Sequence, residues 1–278
     1  MTKPLLLCTD LDRTLLPNGD PIESPGARER FSRFTARPEV TLVYVSGRHK
    51  ELVLDAINEF TIPVPDFVIG DVGTTIYSIK NGEWQAWPAW HQEIAPDWAG
   101  YDRPALEALF EDIESLTPQE DAKQNTFKLS YYTPEDIDRQ TLLSTMRQRL
   151  DEKGVNASLI WSIDDIEHVG LLDLLPGSAT KVHAIEFLVK EKGFSADRVV
   201  YAGDSGNDLP VLVSPINSVL VANAQDDVRS EALTQAKENK NENTLYLATG
   251  KVLGMNGNYS AGILEGVIHY LPETEEII

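Results

Sequence analysis

Apolar residues along this chain follow two rhythms. Short unbroken runs, such as LLLC at 5–8, VTLVYV at 40–45, FVIG at 67–70 and VVYAG at 199–203, predict strands buried on both faces, as in a parallel sheet. Between them lie stretches whose apolar positions recur every three or four residues, such as HKELVLDAINEF and KVHAIEFLVKEK, which predict amphipathic helices. In ESPGARERFSRF, Ser24 is read as a helix N-cap and Pro25 as the first helical position. TTIYSIKNGEWQAW reads as a hairpin turning at Asn81-Gly82. Strand and helix alternating in this way predict an α/β fold with a Rossmann-like parallel sheet.

The rhythm breaks in the middle. From about residue 80 to 168 the chain holds two helical stretches, RPALEALFEDIESL and DIDRQTLLSTMRQRLDEKG, each followed by a β-like segment, TFKLSYY and NASLIWSI. From residue 169 the first rhythm is read as returning, through NSVLVAN and TLYLA to the helix AGILEGVIHYL. The expectation is one core built from residues 1–79 and 169–278, with an α+β domain at 80–168 inserted between. Trp84, Trp87, Trp90 and Trp98 crowd the start of the insertion and are read as packing residues. The tail PETEEII is expected to fray.

Charge narrows the classes of ligand. The sequence has 24 Lys and Arg against 44 Asp and Glu, a net charge of −20, which argues against nucleic acid and anionic membranes as partners. An anionic ligand would need a local attraction, with a metal as its natural carrier. Cys8 is the only cysteine, so no intrachain disulfide forms, and its apolar neighbours mark a core thiol. The five histidines have no ligand spacing. No signal-peptide pattern and no apolar run of bilayer length is found, so the cytoplasm is the expected compartment.

Two buried-type runs end in paired acids. LLLCTDLD delivers Asp10 and Asp12, which point the same way on an extended chain, and VVYAGDSGND delivers Asp204 and Asp208. Either pair alone could cap a turn; two such endings in one sheet suggest a pocket at the strands' carboxyl ends, where parallel sheets bind ligands. LVYVSGRH brings Ser46 and Gly47 to a helix start, a place for an anion. Lys181 lies in the first turn of KVHAIEFLVKEK, where a cation opposes the helix dipole.

Together DLDRT, Ser46, Lys181 and GDSGND resemble, in chain order, the motifs of the haloacid dehalogenase (HAD) superfamily of phosphatases, and the insertion resembles its type II cap. QNTFKLSYY, GDVGTTIY, GDSGNDLPVL and AGILEGVIHY narrow the resemblance to the sucrose-phosphate phosphatase family. Position 13 is Arg, and position 46 Ser rather than Thr; both depart mildly from the pattern. Four acids and a phosphate ester in one pocket need more positive charge than Lys181 supplies, and Mg²⁺ is the hard cation suited to carboxylate oxygens. The resemblance implies that Asp10, the Asp12 carbonyl and Asp204 hold Mg²⁺, with Asp208 in support. It also implies that Asp10 is the nucleophile and Asp12 the acid and base, and that Ser46, Gly47, Lys181 and Asn207 hold the phosphoryl oxygens. Arg48, Thr74, Gln124, Asn125 and Lys128 are the candidate contacts to substrate. Sucrose 6-phosphate is the first substrate expected, with mannosylfructose phosphate and glucosylglycerol phosphate as alternatives. A sugar phosphotransferase or mutase shares the same intermediate. A phospho-receiver domain also clusters acids around Mg²⁺ but puts its phospho-accepting Asp on another strand. Association with the synthase that makes such a substrate is a further expectation, carried by no residue of this sequence.

Overall fold

The structure is a computed structural model and describes residues 3–164 and 167–278. The chain divides into two compact units, one of residues 1–86 and 181–278, the other Trp87–Thr180.

In the first unit the apolar runs become the strands β1 (Leu5–Thr9), β2 (Val40–Val45), β3 (Phe67–Gly70), β4 (Thr75–Lys80) and β5 (Glu83–Ala86). The second unit supplies β6 (Thr117–Pro118), β7 (Leu129–Pro134), β8 (Ala157–Asp164) and β9 (Val169–Pro176). The chain then returns to the first unit with β10 (Val199–Gly203), β11 (Asn217–Leu220) and β12 (Leu245–Leu247). The core sheet has the order β12-β11-β10-β1-β2-β3-β4-β5. It is parallel from β12 to β3 and antiparallel at β4 and β5. Leu5, Leu7, Val200, Ala202 and Val219 from its middle strands are buried with Phe31, Phe34 and Leu264. The β4–β5 turn uses Asn81 and Gly82, both left-handed at φ 53 and 81, as the hairpin expectation requires.

Helix α1 (Ala27–Thr35) starts later than expected. Gly26, left-handed at φ 78, is its N-cap, because the Ser24 hydroxyl oxygen is committed to accepting from the Asn256 N–H at 2.8 Å. Helix α2 (Lys50–Phe60) starts after His49, so Ser46 lies before its cap and not at its start.

The second unit departs from expectation at two places. After α3 (Pro88–Ile94), Asp102 caps α4 (Arg103–Glu107) by accepting from the Ala105 N–H at 2.9 Å, but the helix ends long before Leu116. Arg149 takes the Leu109 carbonyl at 2.7 Å and pairs with Asp112, removing the acceptor that a continuing helix would use. Helix α5 (Arg139–Glu152) forms as expected, capped by Asp138.

The second correction concerns the boundary. The expectation places β9 in the core, but it lies between β7 and β8 in the four-stranded sheet β6-β7-β9-β8. Leu172 and Leu174 bury against Leu129, Tyr131, Met146 and Trp98, a core separate from the first. The units therefore divide at 86/87 and 180/181 rather than at 80 and 168. The tryptophans divide with them: Trp84 sits 5.8 Å from Tyr77 in the first unit, while Trp98 is buried in the second.

The tail does not fray. After α6 (Lys181–Lys192), the short α7 (Leu209–Leu212), α8 (Asp226–Glu238) and α9 (Ser260–Tyr270), residues Pro272–Ile277 form a 3₁₀ turn. Ile278 is buried in the core, and its carbonyl accepts from Arg30 at 3.2 Å.

Candidate active site

The central strands place the acids. β1 lies between β10 and β2, with Thr9 beside Ala202 on one side and beside Tyr44 on the other. The Asp10 N–H donates to the Ala202 carbonyl at 2.9 Å, extending the ladder by one residue. Asp10 and Asp204 therefore emerge from adjacent strands at the same end of the sheet, and Ser46 follows β2. Chain connections diverge to either side here, the position where open α/β sheets form their ligand crevice.

Lys181, at the start of α6, joins two of the acids: its Nζ donates to Asp10 Oδ1 at 2.9 Å and to Asp208 Oδ1 at 2.7 Å. Asp208 is completely buried and accepts from four other groups. These are the Tyr201 hydroxyl on Oδ1, and on Oδ2 the Asp204 N–H at 3.0 Å, the Ser205 N–H at 3.1 Å and the Ser205 hydroxyl at 3.1 Å. Gly203 makes room for it, since a Cβ there would lie 2.6 Å from Asp208 Cβ and Cγ. The Thr14 hydroxyl donates to Asp204 Oδ1 at 2.8 Å, and Arg13 Nε lies 3.9 Å from Asp204 Oδ2.

Carboxylate oxygens of Asp10, Asp204 and Asp208 lie within 4.8 Å of one another. Burial pushes Asp10 up to about 7, with Lys181 pulling it down and Asp208 and Asp204 adding to the rise. Burial pushes Asp204 up to about 6 against the Thr14 hydrogen bond, with Asp208 again raising it. Two buried acids thus resist ionising for want of positive charge. Burial opposes the ionised form of Asp208 too, but Lys181 and the Tyr201 and Ser205 hydrogen bonds hold it below the usual range.

This deficit suits a hard divalent cation. Asp10 and Asp204 each use Oδ1 for a hydrogen bond within the protein, and Oδ2 of each makes none among the described residues. Asp208 is different: five hydrogen bonds occupy the roughly four lone-pair sites of a carboxylate, so it fits a supporting role and not direct ligation.

A pH dependence follows. Asp10 and Asp204 have folded values above their ordinary 3.8, so between about pH 4 and 7 the folded protein binds more protons than the unfolded chain. Without metal, stability should fall as pH rises through that window. Mg²⁺, which favours the ionised acids, should raise the thermal midpoint near pH 8 and lose its effect near pH 5. Midpoints measured with and without Mg²⁺ at both pH values check this; indifference to Mg²⁺ near pH 8 would contradict the fit.

Most sequence-predicted residues of the first unit line one cavity of about 380 Å³: Asp10, Asp12, Ser46, Gly47, Arg48, Asp204 and Asn207, joined by Arg13. The Ser46 oxygen accepts from the Arg48 N–H at 3.2 Å, capping a turn. Asp12 does not stand free beside Asp10. Arg48 grips it with two hydrogen bonds, Nε to Oδ2 at 2.8 Å and Nη2 to Oδ1 at 2.6 Å. Asn18 Nδ2 adds a third to Oδ1 at 2.8 Å. Burial raises Asp12, but Arg48 and Asn18 outweigh it and hold the carboxyl below the usual range.

Thr74 does not face the cavity. It is fully buried and its hydroxyl donates to the Asp71 carbonyl at 2.8 Å, a local turn that the sequence reading did not foresee. In the second unit, Gln124 and Asn125 line a separate cavity of about 440 Å³ with Arg103 and Asp121. The Gln124 amide is spent on backbone, accepting from Ser130 N–H at 2.8 Å and donating to the Gln119 and Ser130 carbonyls at 3.0 and 2.8 Å. Asn125 Oδ1 accepts from the Phe127 N–H at 2.8 Å. Lys128 Nζ lies 3.6 Å from Asp173 Oδ1, which also accepts from Ser130. Gln124 is thereby a framework residue, which its polarity alone could not reveal.

Sequence reasoning passed over Thr14, Asn18 and Tyr201. Thr14 was legible as the last residue of DLDRT; Asn18 and Tyr201 carry no spacing signal.

Comparison with known proteins agrees with this geometry. The profile of the sucrose-6F-phosphate phosphohydrolase family matches residues 3–271. A protein of Nitrosococcus oceani, whose name goes no further than HAD-like hydrolase, is 52% identical across 99% of this chain and 74% of its own. The mannosylfructose-phosphate phosphatase of Agrobacterium fabrum is 30% identical across 96% of this chain and 98% of its own. The sucrose-phosphatase of Synechocystis sp. PCC6803, solved with sucrose and phosphate, superposes with a TM-score of 0.70 at 24% identity, covering 97% of this chain and 98% of that one. The HAD fold and its motif order thus lead to one assignment: this chain belongs to the sucrose-6F-phosphate phosphohydrolase family.

Proposed function

We propose that this protein is a Mg²⁺-dependent phosphomonoesterase that removes phosphate from a phosphorylated disaccharide, sucrose 6-phosphate first among them. The observation that carries the reading is the buried meeting of Asp10, Asp204 and Lys181 at the carboxyl ends of adjacent strands. Mg²⁺, held by Asp10 and Asp204, would supply the charge that lets both acids ionise beside an anionic ester.

The protein's own groups divide the work. Lys181, Ser46 and the Gly47 backbone lie where they could hold phosphoryl oxygens, with Asn207 at the rim. Asp10 attacks phosphorus and forms an aspartyl-phosphate as the bond to the sugar oxygen breaks. Asp12 gives its proton to the departing alkoxide, then takes one from the water that hydrolyses the intermediate. In the structure Asp12 is paired with Arg48, so this role requires the pair to loosen. An arriving phosphate offers Arg48 another anion and would release Asp12 to take up its proton.

The inserted unit is read as the cap that chooses the leaving group, with Asn125 and Lys128 as candidate sugar contacts. Mannosylfructose phosphate and glucosylglycerol phosphate remain the alternative substrates, and a phosphotransferase would differ only in the acceptor that reaches the aspartyl-phosphate. A cytoplasmic location and association with the synthase that makes the substrate complete this reading. No helix among the described residues is long and apolar enough to cross a membrane.

Phosphate release from the three esters, each with and without Mg²⁺, tests the reading. Release should need Mg²⁺ and favour one disaccharide ester by about tenfold or more over small phosphate esters, roughly what the net contribution of one or two hydrogen bonds to the sugar supplies. Equal rates on every ester would remove the specificity role of the insertion.

A further inference from the structure

Two residues with strained backbone meet at one buried side chain. Arg13, between Asp12 and Thr14, has φ 60, and Tyr259, just before α9, has φ 50. Residues bearing a Cβ seldom adopt such values, and a bulky one does so only when its surroundings impose it. Asn223, in the loop after β11 and 8% exposed, touches both residues. Its Nδ2 donates to the Arg13 carbonyl at 2.6 Å, and its Oδ1 accepts from the Tyr259 N–H at 2.9 Å.

The other backbone group of Arg13 is held as well. Its N–H donates to Asn18 Oδ1 at 2.8 Å, and Asn18 Nδ2 reaches Asp12 Oδ1 at 2.8 Å. Both peptide groups of residue 13 are thus satisfied in the left-handed turn. That turn has a consequence on each side: it carries the Asp12 carboxylate to the cavity and the Thr14 hydroxyl to Asp204. A relaxed residue 13 would turn one or both away. Asn223 does not line the cavity, so any influence it has must pass through the turn.

We propose that Asn223 is a positioning residue, which clamps the Asp12–Thr14 turn in a costly backbone conformation by bridging it to the segment before α9. The planar amide is suited to this because it offers one donor and one acceptor at once; Asp lacks the donor and Ala lacks both. The kinetic consequence rests on the phosphatase reading above, whereas the clamp itself does not.

A double-substitution cycle separates the clamp from ordinary packing. Glycine adopts a positive φ without the Cβ penalty, so Arg13→Gly should make the clamp dispensable. With para-nitrophenyl phosphate and Mg²⁺, Asn223→Ala alone should lower kcat about tenfold, the scale of the left-handed penalty, with KM within about twofold. Added to Arg13→Gly, the same substitution should cost less than about twofold in kcat. Urea unfolding of the same four proteins should show the opposite order: with Arg13 present, relaxation of its strained backbone offsets part of the lost clamp, so Asn223→Ala should change the unfolding constant about tenfold less there than in the Arg13→Gly background. Asn223→Asp, which keeps the shape and loses the donor, should behave as Asn223→Ala and serves if the alanine variant does not fold. Equal losses in both backgrounds would overturn the clamp. If the unsubstituted protein released no phosphate, the phosphatase reading would fall, and the unfolding cycle would still decide the clamp.

Discussion

Asp10→Asn is expected to reduce phosphate release by about 10⁴-fold or more, since removal of a covalent nucleophile leaves only binding and electrostatic assistance. The fold should survive. Asp10 is already pushed up to about 7 by burial and its acidic neighbours, so a neutral amide of the same shape relieves repulsion with Asp208 and Asp204. Lys181 keeps its second partner, Asp208, at 2.7 Å. The thermal midpoint of the metal-free variant near pH 8 should therefore equal or exceed that of the unsubstituted protein. Steady-state phosphate release and a thermal scan on one preparation check both halves. Near-normal release from the variant would refute the nucleophile assignment, and a collapsed midpoint would mean that Asp10 holds the fold together.

Lys181→Met is expected to have the opposite balance, with large losses in both stability and activity. The side chain is only 12% exposed and joins Asp10 to Asp208, both buried. Burial disfavours the ammonium, but its two acidic partners outweigh that and raise it. Removing one member of a buried ionic cluster leaves uncompensated charge, which typically costs about 3–5 kcal/mol. The sign of the pH dependence is fixed by which groups remain. With Lys181 gone, Asp10 is pushed up further and Asp208 loses the cation that holds it down, so the variant is penalised most where both must ionise. Its stability deficit, measured by urea denaturation, should be larger near pH 8 than near pH 5. A deficit that did not change with pH would assign the loss to packing and not to charge.

The sequence made the site legible where chemistry is local to a strand end. Asp10, Asp12, Asp204 and Asp208 could be read because unbroken apolar runs cannot continue into carboxylates unless the strand is ending. What it could not reveal were choices made between distant side chains. Asp12 and Arg48 lie 36 residues apart, and nothing in either segment announces that they pair. The supporting role of Asp208 follows from the resemblance, but the five donors that fix it there do not, and Tyr201 among them reads as one more strand aromatic. Thr74 and Gln124 looked like binding residues because polarity is visible in a sequence, while the backbone groups that absorb it are not.

The same limit governs the fold. The core strands and the Asn81-Gly82 turn follow from patterns within a few residues. β9 misled because VGLLDLLP is apolar enough for either sheet; only its neighbours, Leu129 and Tyr131 on β7 and Leu159 and Trp161 on β8, decide which one it joins. The tail misled for a similar reason: its acids suggest solvent, while the terminal Ile278 finds a place in the core.

The central claim is that acids from the two ends of the chain share one divalent cation. A crystal structure determined with Mg²⁺ tests it most directly. The expected result is a single octahedral ion with a carboxylate oxygen from Asp10 and one from Asp204 at about 2.1 Å, the distance Mg²⁺ demands. An ion bound elsewhere, or Lys181 bridging the acids with no ion between Asp10 and Asp204, would contradict it.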